Sequence, residues 1–481
     1  MSGEYTTELD GRAEPLLGPN IGPPQDSPIH SDISRRKLER RALDGTIFVG
    51  LTTAGSMALR LLNSLIFAYL FLPAYFGLLS LATAIIVGLY LFSHLGLQDN
   101  VIQNPRGDEP SFVNTAWTIE YIRGYVIASG CWILAWPVAH FYHQPLLLPV
   151  LIALGFTCII TAHTSPIVLS MARHLRVREL TMLELFNQLV TCIATVIWAL
   201  ISPTIWALVG GRLIAEAIRC AATYWFKPFT PPKFAWDRDA VKAIVKFGKW
   251  IMVGTALTFL ASQSDKLILG KLITLSLLGL YGVAYSMSDI PRQIINQFCT
   301  KVGFPFLAKF QDLPRPEYRA QLLKYRRLVL LGGAVLLTLV VCFGDIFIRL
   351  VYNHRYHDAA WMVGILGVGL WHTLLYSTIS PAIFALQRSH YNAFAQAVYC
   401  VTLFAGLPWG FHHYGMVGVL IVVAAADLPM YFCFQYAAFR EGINTVAQDV
   451  LLTGLFVAVL VGALALRHAL GFGSPFPTQL M

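Results

Sequence analysis

FGKWIMVGTALTFLASQSDKLILGK, Phe247–Lys271, decides what kind of molecule this is. From Trp250 to Ala261 it carries no charge, yet Asp265 and Lys266 stand side by side near its end. A helix that crosses a bilayer needs roughly 20 mostly apolar residues, and this stretch supplies them. At a rise of 1.5 Å per residue, Lys266 lies roughly 28 Å along the helix and so near its far rim. A lysine there can snorkel to the interface. The alternative is that Asp265 and Lys266 form a gate, and both readings stand open.

Similar apolar runs recur along nearly all 481 residues. The chain is 56% hydrophobic and only 13% charged, with mean hydropathy +0.61. Soluble domains carry about 25% charged residues, so the pattern is that of an all-α polytopic membrane protein. Alternating ten-residue segments, the mark of a membrane barrel, are absent. The net charge of +9 reflects arginine and lysine gathered on one membrane side and indicates no nucleic-acid partner.

Spans are expected near 45–71, 74–97, 113–140, 146–171, 180–201, 204–226, 247–270, 276–304, 326–351, 359–387, 391–411, 414–438 and 448–467. Residues 1–44 are polar and proline-bearing, and read as a disordered cytoplasmic tail with a basic amphipathic end, SRRKLERRALDGT. The tail and the even-numbered connections hold Arg35, Arg36, Lys37, Arg40, Arg41, Arg173, Arg176, Arg178, Lys227, Lys233, Lys242, Lys246, Lys309, Arg315, Arg319, Lys324, Arg326, Arg327, Arg388 and Arg440. The other side holds Lys271, Arg355 and Arg467. Positive residues favour the cytoplasm, which predicts a cytoplasmic N-terminus. Outer connections such as HQPL, SP and HHYG leave no room for a catalytic outer domain, so function must lie within the helices.

Charge at bilayer depth costs several kcal/mol unless it faces protein, water or ligand. Polar stripes at helical spacing nevertheless run along span 1 (Ser56, Arg60, Asn63), span 3 (Glu120, Arg123), span 5 (Glu184, Asn187, Thr191, Thr195) and span 6 (Arg212, Glu216, Arg219, Thr223). They recur in span 7 (Thr255, Thr258, Ser262, Asp265) and span 8 (Ser286, Asp289, Arg292, Gln293, Asn296, Thr300). So many stripes need a common hydrated cavity to face. Spacing also permits local pairs, Arg212–Glu216, Glu216–Arg219, Glu120–Arg123 and Asp289–Arg292. A guanidinium stays charged and grips phosphate bidentately. Arg60, Arg123, Arg212, Arg219 and Arg292 are therefore the candidate substrate-binding set for an anionic, phosphorylated cargo. Glu120, Glu216, Asp265, Lys266, Asp289 and Asp427 are the candidates for gating or ion coupling. Asp427, two residues before Pro429, reads either as an acid beside a broken helix that binds a coupling cation, Na+ or H+, as transporters often arrange, or as a buried protonated carboxyl.

The histidine-bearing stretches NHRYH and HHYG offer no third ligand at useful spacing, so no metal site is expected. The eight cysteines lie in apolar segments and read as small buried hydrophobes. No Walker loop is present, so no ATPase is expected.

YFGLLSLATA at Tyr75 and LLGLYGVAYS at Leu277 form a loose internal repeat, each opening the second span of a six-span half. The 247–271 stretch, LLGLYGVAYSMSDIP and GFPFLAKFQD, with RALDGTIFVG, LPAYFGLLSLA, LGLQDNVIQN, NTAWTIEYIRG and SPTIWALVGGRL, resemble the polysaccharide transporter family of the MOP flippase superfamily. Within it the likeness is to Wzx-like oligosaccharide flippases. The resemblance implies two six-helix lobes of MOP/MATE-like form around a central cavity: an N-lobe over 45–226, a linker over 227–246 and a C-lobe over 247–440. Residues 441–481 then hold one extra C-terminal span and a tail. It also implies export of undecaprenyl-diphosphate-linked oligosaccharide across the bacterial inner membrane by alternating access, with no cofactor beyond a coupling cation. Expected partners are the lipid-linked oligosaccharide, membrane lipid, and the polymerase and chain-length regulator of the same assembly. The rival readings are a small-molecule antiporter of the same superfamily and a membrane polymerase or ligase.

Overall fold

The computed structural model describes residues 55–174, 176–226 and 232–476. The expected basic tail over 1–44 lies outside them. The described residues from Ser56 onward make one compact unit, and the described residues contain helices and no strands. Each expected span holds helix. The first half contains α1 (Gly55–Leu70), α2 (Pro73–Phe92), α3 (Leu97–Gln103), α4 (Pro110–Phe141), α5 (Leu147–Ala162), α6 (Ile167–Arg173), α7 (Val177–Ile201) and α8 (Ile205–Thr223). The second contains α9 (Arg238–Leu272), α10 (Leu275–Ser288), α11 (Ile290–Phe298), α12 (Phe304–Ala308), α13 (Arg315–Val351), α14 (Ala360–Ala385), α15 (His390–Ala425), α16 (Asp427–Arg440) and α17 (Val446–Ala469). Among the described residues, seven helices are individually long and apolar enough to cross a membrane, and up to nine if each bent pair is one span.

Several boundaries depart from the sequence expectation. The 146–171 span is α5 and α6 meeting at 67°, because Pro166 has no N–H to give and disfavours helix in the residue before it. The 276–304 span is α10, α11 and a π-helical turn at Cys299–Gly303 leading into α12. The HHYG connection does turn, but on its last residue, Gly415, one residue inside the span expected from 414, where a φ of +58° suits glycine alone. Finally, α9 starts at Arg238 instead of 247, since the Asp237 carboxylate accepts from the N–H groups of Asp239 (2.9 Å) and Ala240 (3.3 Å), an N-cap that extends the helix back into the linker.

Within the first half α4 packs on α5, α7 on α8 and α5 on α8; within the second, α14 is surrounded by α13, α15 and α16. The halves meet where α2 lies against α9 and α10. There the two repeats cross at Gly77 and Gly279. A Cβ on Gly77 would stand 2.0 Å from the Leu275 carbonyl oxygen, and one on Gly279 1.9 Å from that of Pro73. The weak repeat therefore marks a backbone contact that only glycine permits.

Arg326 and Arg467 belong to neither connection in which the sequence placed them. Arg326 is wholly buried and pairs with Asp449 at 2.7 Å. Arg467 grips Asp345 with two bonds, at 2.7 and 2.6 Å. Arg326 and Asp345 sit on α13, Asp449 and Arg467 on α17, at 19- and 18-residue spacings. At 1.5 Å per residue these match within roughly 2 Å, so the extra span runs parallel to α13 and is clamped to it at both ends.

One end of the bundle carries the short α1–α2, α4–α5 and α9–α10 turns; the other carries the linker before α9. The turn end is closed across the halves. The Tyr356 hydroxyl donates to the Phe71 carbonyl at 3.0 Å, that of Tyr142 to the Leu267 carbonyl at 3.1 Å, and Ser64 meets Tyr352 at 3.1 Å.

Candidate functional site

The linker end holds a cavity of about 300 Å³ in the first half, lined by His94, Trp117, Glu120, Arg123, Thr164 and Arg219, with the α5–α6 break as its wall. The break leaves carbonyl groups without helical partners, and the neighbouring helices supply donors. Trp117 Nε1 donates to the Thr164 carbonyl (2.8 Å), the Tyr224 hydroxyl to that of His163 (2.6 Å), and the Thr223 hydroxyl receives the Ser165 N–H (3.1 Å). Irregular backbone at membrane depth is tolerated where it is satisfied in this way or lines a cavity. Arg123 pairs with Glu120 at 2.6 Å and lies over the Tyr90 ring at 5.5 Å. Its Nε is buried and finds no partner among the described residues. Arg219 pairs with Glu216 at 2.8 Å.

The stripes of spans 1, 5 and 6 meet. Arg60 on α1 pairs with Glu184 on α7 at 3.1 Å, and both side chains are about 60% exposed. Gln188 donates to Ser56 at 3.0 Å, and Asn187 to Glu216 at 3.3 Å. Arg60 stands ten residues from the end of α1, roughly 15 Å into the span. So exposed a charge pair at that depth is stable facing water, not acyl chains. Glu216 thus chooses Arg219 over Arg212, although spacing allowed either. Arg212 is half-buried beside Cys158 and has no carboxylate partner among the described residues.

In the second half the acids converge. Asp265 is buried and accepts from the Tyr281 hydroxyl at 2.7 Å, while Lys266 turns away to Gln263 at 3.1 Å. The adjacent pair therefore separates, and Asp265 belongs to the interior. Arg292 Nε donates to Asp289, whose other oxygen accepts from Gln293 at 3.0 Å. Asp427, the first residue of α16, accepts from Thr373. Tyr285, Asp289, Arg292, Tyr399 and Asp427 line an enclosed cavity of about 30 Å³, room for a water or a bare cation. Sequence reasoning missed Tyr281, Tyr285 and Tyr399, because an aromatic in an apolar helix gives no signal until packing sets its hydroxyl beside a charged group, as with Tyr281 on Asp265 and Tyr285 on Arg292. A second linker-end cavity, of about 570 Å³, lies between α11, α14 and the start of α15; the span 8 stripe gave Asn296 and Thr300 of its lining and nothing of its α14 and α15 walls.

At the linker end, outside the spans, Arg106 bridges Asp237 (2.6 Å) and Glu109 (2.9 Å), and Arg173 pairs with Asp108 at 2.9 Å. The hydrogen bond from Arg106 holds the Asp237 carboxyl below the usual carboxylate range, and Arg173 does the same for Asp108.

Comparison with known proteins adds a family match, two relatives and two solved structures. Residues 66–361 match the family described as polysaccharide biosynthesis protein. The chain is 22% identical to the lipopolysaccharide biosynthesis protein WzxC of Escherichia coli over 67% of its own length and 65% of that protein's, so it spans just under two thirds of this relative. It is 20% identical to the amylovoran biosynthesis protein AmsL of Erwinia amylovora, covering 70% of this chain and 82% of that protein. Among solved structures, the lipid II flippase MurJ, in an inward closed conformation, superposes with TM-score 0.64 at 13% identity, over 88% of this chain and 97% of that one. A multidrug resistance MATE family transporter of the MOP superfamily superposes with TM-score 0.59 at 11% identity, over 80% and 94%. At these identities the shared property is the fold.

Proposed function

Since this chain belongs to the polysaccharide biosynthesis protein family, we propose that it is a flippase that carries undecaprenyl-diphosphate-linked oligosaccharide across the bacterial inner membrane for exopolysaccharide or lipopolysaccharide assembly. The observation that carries this reading is the arginine-bearing cavity at the linker end of a bundle whose turn end is closed. The excess of lysine and arginine around the linker end supports a cytoplasmic linker and N-terminus. In that orientation the cavity meets the inner leaflet, where a lipid-linked sugar is made. Arg123 and Arg219 would take the diphosphate, giving up part of their hold on Glu120 and Glu216. Arg60 and Arg212 offer further positive charge on the way out, and the polyprenyl tail stays in lipid. Substrate entry then loosens the turn-end contacts, and the bundle opens on the other side.

Asp265, Asp289 and Asp427 supply the coupling group. Their cluster holds one cation-compensated acid, Asp289 with Arg292, and two acids bonded to neutral hydroxyls, which suits uptake of H+ or Na+. The polymerase and chain-length regulator are the partners that would receive the exported unit. A fold shared with MATE transporters fits a small-molecule antiporter equally, and family membership is what favours the glycan.

Replacing Arg123, Arg212 and Arg219 singly with glutamine in a strain lacking the gene tests the site. Export should fall by about tenfold or more, with the protein still present in the membrane and lipid-linked saccharide accumulating on the cytoplasmic leaflet. Normal export by all three variants would reject it.

A further inference from the structure

The two cavities at the linker end differ in chemistry. The first-half cavity is ionic; the second-half cavity of about 570 Å³ is lined by no charged side chain. We propose that the second-half cavity is a saccharide subsite, which holds neutral sugars of the cargo while the first-half arginines hold its diphosphate. The inference rests on the flippase reading and adds where each part of the cargo binds.

Its walls are built by departures from regular helix. On one side the π-helical turn Cys299–Gly303 widens the backbone, a feature that recurs at functional sites. Gly303 lets that turn approach α13 so closely that a Cβ would meet the Tyr325 hydroxyl at 2.2 Å. On the other side Pro381 interrupts the hydrogen-bond ladder of α14. The side-chain amides of Asn296, Asn392 and Gln396 and the hydroxyl of Ser380 face this cavity and make no hydrogen bond to a described residue. Each amide offers both donors and an acceptor, which is what a sugar hydroxyl, itself donor and acceptor, requires. Phe304 and Phe384 remain 41% and 37% exposed and present flat apolar faces to the C–H side of a pyranose ring. The volume falls within the range of small-molecule sites and accommodates a short oligosaccharide. A phospholipid headgroup would bring a phosphate that finds no cation here, and a uronic acid would bury an unpaired carboxylate. The site therefore selects uncharged sugars.

The test uses the full chain in nanodiscs and three probes: undecaprenyl diphosphate, the lipid-linked oligosaccharide that accumulates in a deletion strain, and the same oligosaccharide released from its lipid. Asn392→Ala with Gln396→Ala should weaken the lipid-linked oligosaccharide about tenfold. Binding of undecaprenyl diphosphate should not change. Phe304→Leu, which keeps the apolar bulk but removes the flat face, should act in the same direction by about threefold. Arg123→Gln should weaken both lipids together. Equal losses for both lipids in the Asn392/Gln396 variant, or no loss for either, would overturn the subsite with the flippase reading intact. Tighter binding of the free oligosaccharide than of the lipid-linked form would also overturn it. Failure of the unaltered protein to bind either lipid would sink the flippase reading itself.

Discussion

In the first half, acid–base pairs lie three residues apart on one helix or open to space: Glu120–Arg123, Glu216–Arg219, and Arg60–Glu184 at about 60% exposure. In the second half, Arg326–Asp449 and Arg467–Asp345 join helices more than a hundred residues apart and are almost wholly buried. The same residue types therefore do different things. A pair facing a wet cavity can exchange its partner for a phosphate; a dry pair cannot be opened without leaving a buried charge. The contrast extends to the two linker-end cavities, one ionic and one neutral, and argues that charge in this molecule is read by its surroundings and not by its count.

The largest expected effect breaks the dry side. Arg326→Leu strands Asp449 and should destabilise by about 3–5 kcal/mol, seen as a collapse in detergent thermal stability. Adding Asp449→Leu should restore most of it. If the single variant were as stable as the parent, the clamp would not hold α17. Next comes the contact between the halves. Gly77→Ala drives a methyl group toward the Leu275 carbonyl and should cost about 1–3 kcal/mol of the closed turn end. Labelling of a cysteine placed at Ser64 by a water-soluble maleimide should rise; unchanged labelling would mean the crossing is not the seal. On the wet side, Arg60→Gln should cost under about 1 kcal/mol, so a large stability loss would sharpen the comparison against us.

The smallest effect concerns the linker. Asp237 and Asp108 have lowered pKa values, so their contribution is fully present above the unfolded value, about 3.9. It is lost as pH falls through the lower folded value. Protease access to residues 232–237 should therefore stay constant from neutral pH to about pH 5 and rise only in stronger acid. Asp237→Asn should expose the segment already at neutral pH.

The spans were legible because twenty apolar residues in a row have few uses besides crossing lipid. Glu120–Arg123 and Asp289–Arg292 were legible because a helix fixes which side chains meet at three-residue spacing. Glu216 was only half legible, since Arg212 and Arg219 satisfy that geometry equally. Arg326 and Arg467 were misread as interfacial charges, because nothing near them in the chain announces Asp449 or Asp345. The neutral cavity left only a partial trace, Asn296 and Thr300 in the span 8 stripe, as asparagine, serine and phenylalanine elsewhere in its walls are ordinary in any helix.

By itself the amino-acid order determined that the chain is helical, lies in a membrane and carries charge at depth; composition and local period suffice for that, since each property is settled within a few turns of helix. Which charges stay wet, which lock helices and where hollows form was decided by the packing of distant helices. Burial is a property of neighbours, and here the decisive neighbours are far away in the chain.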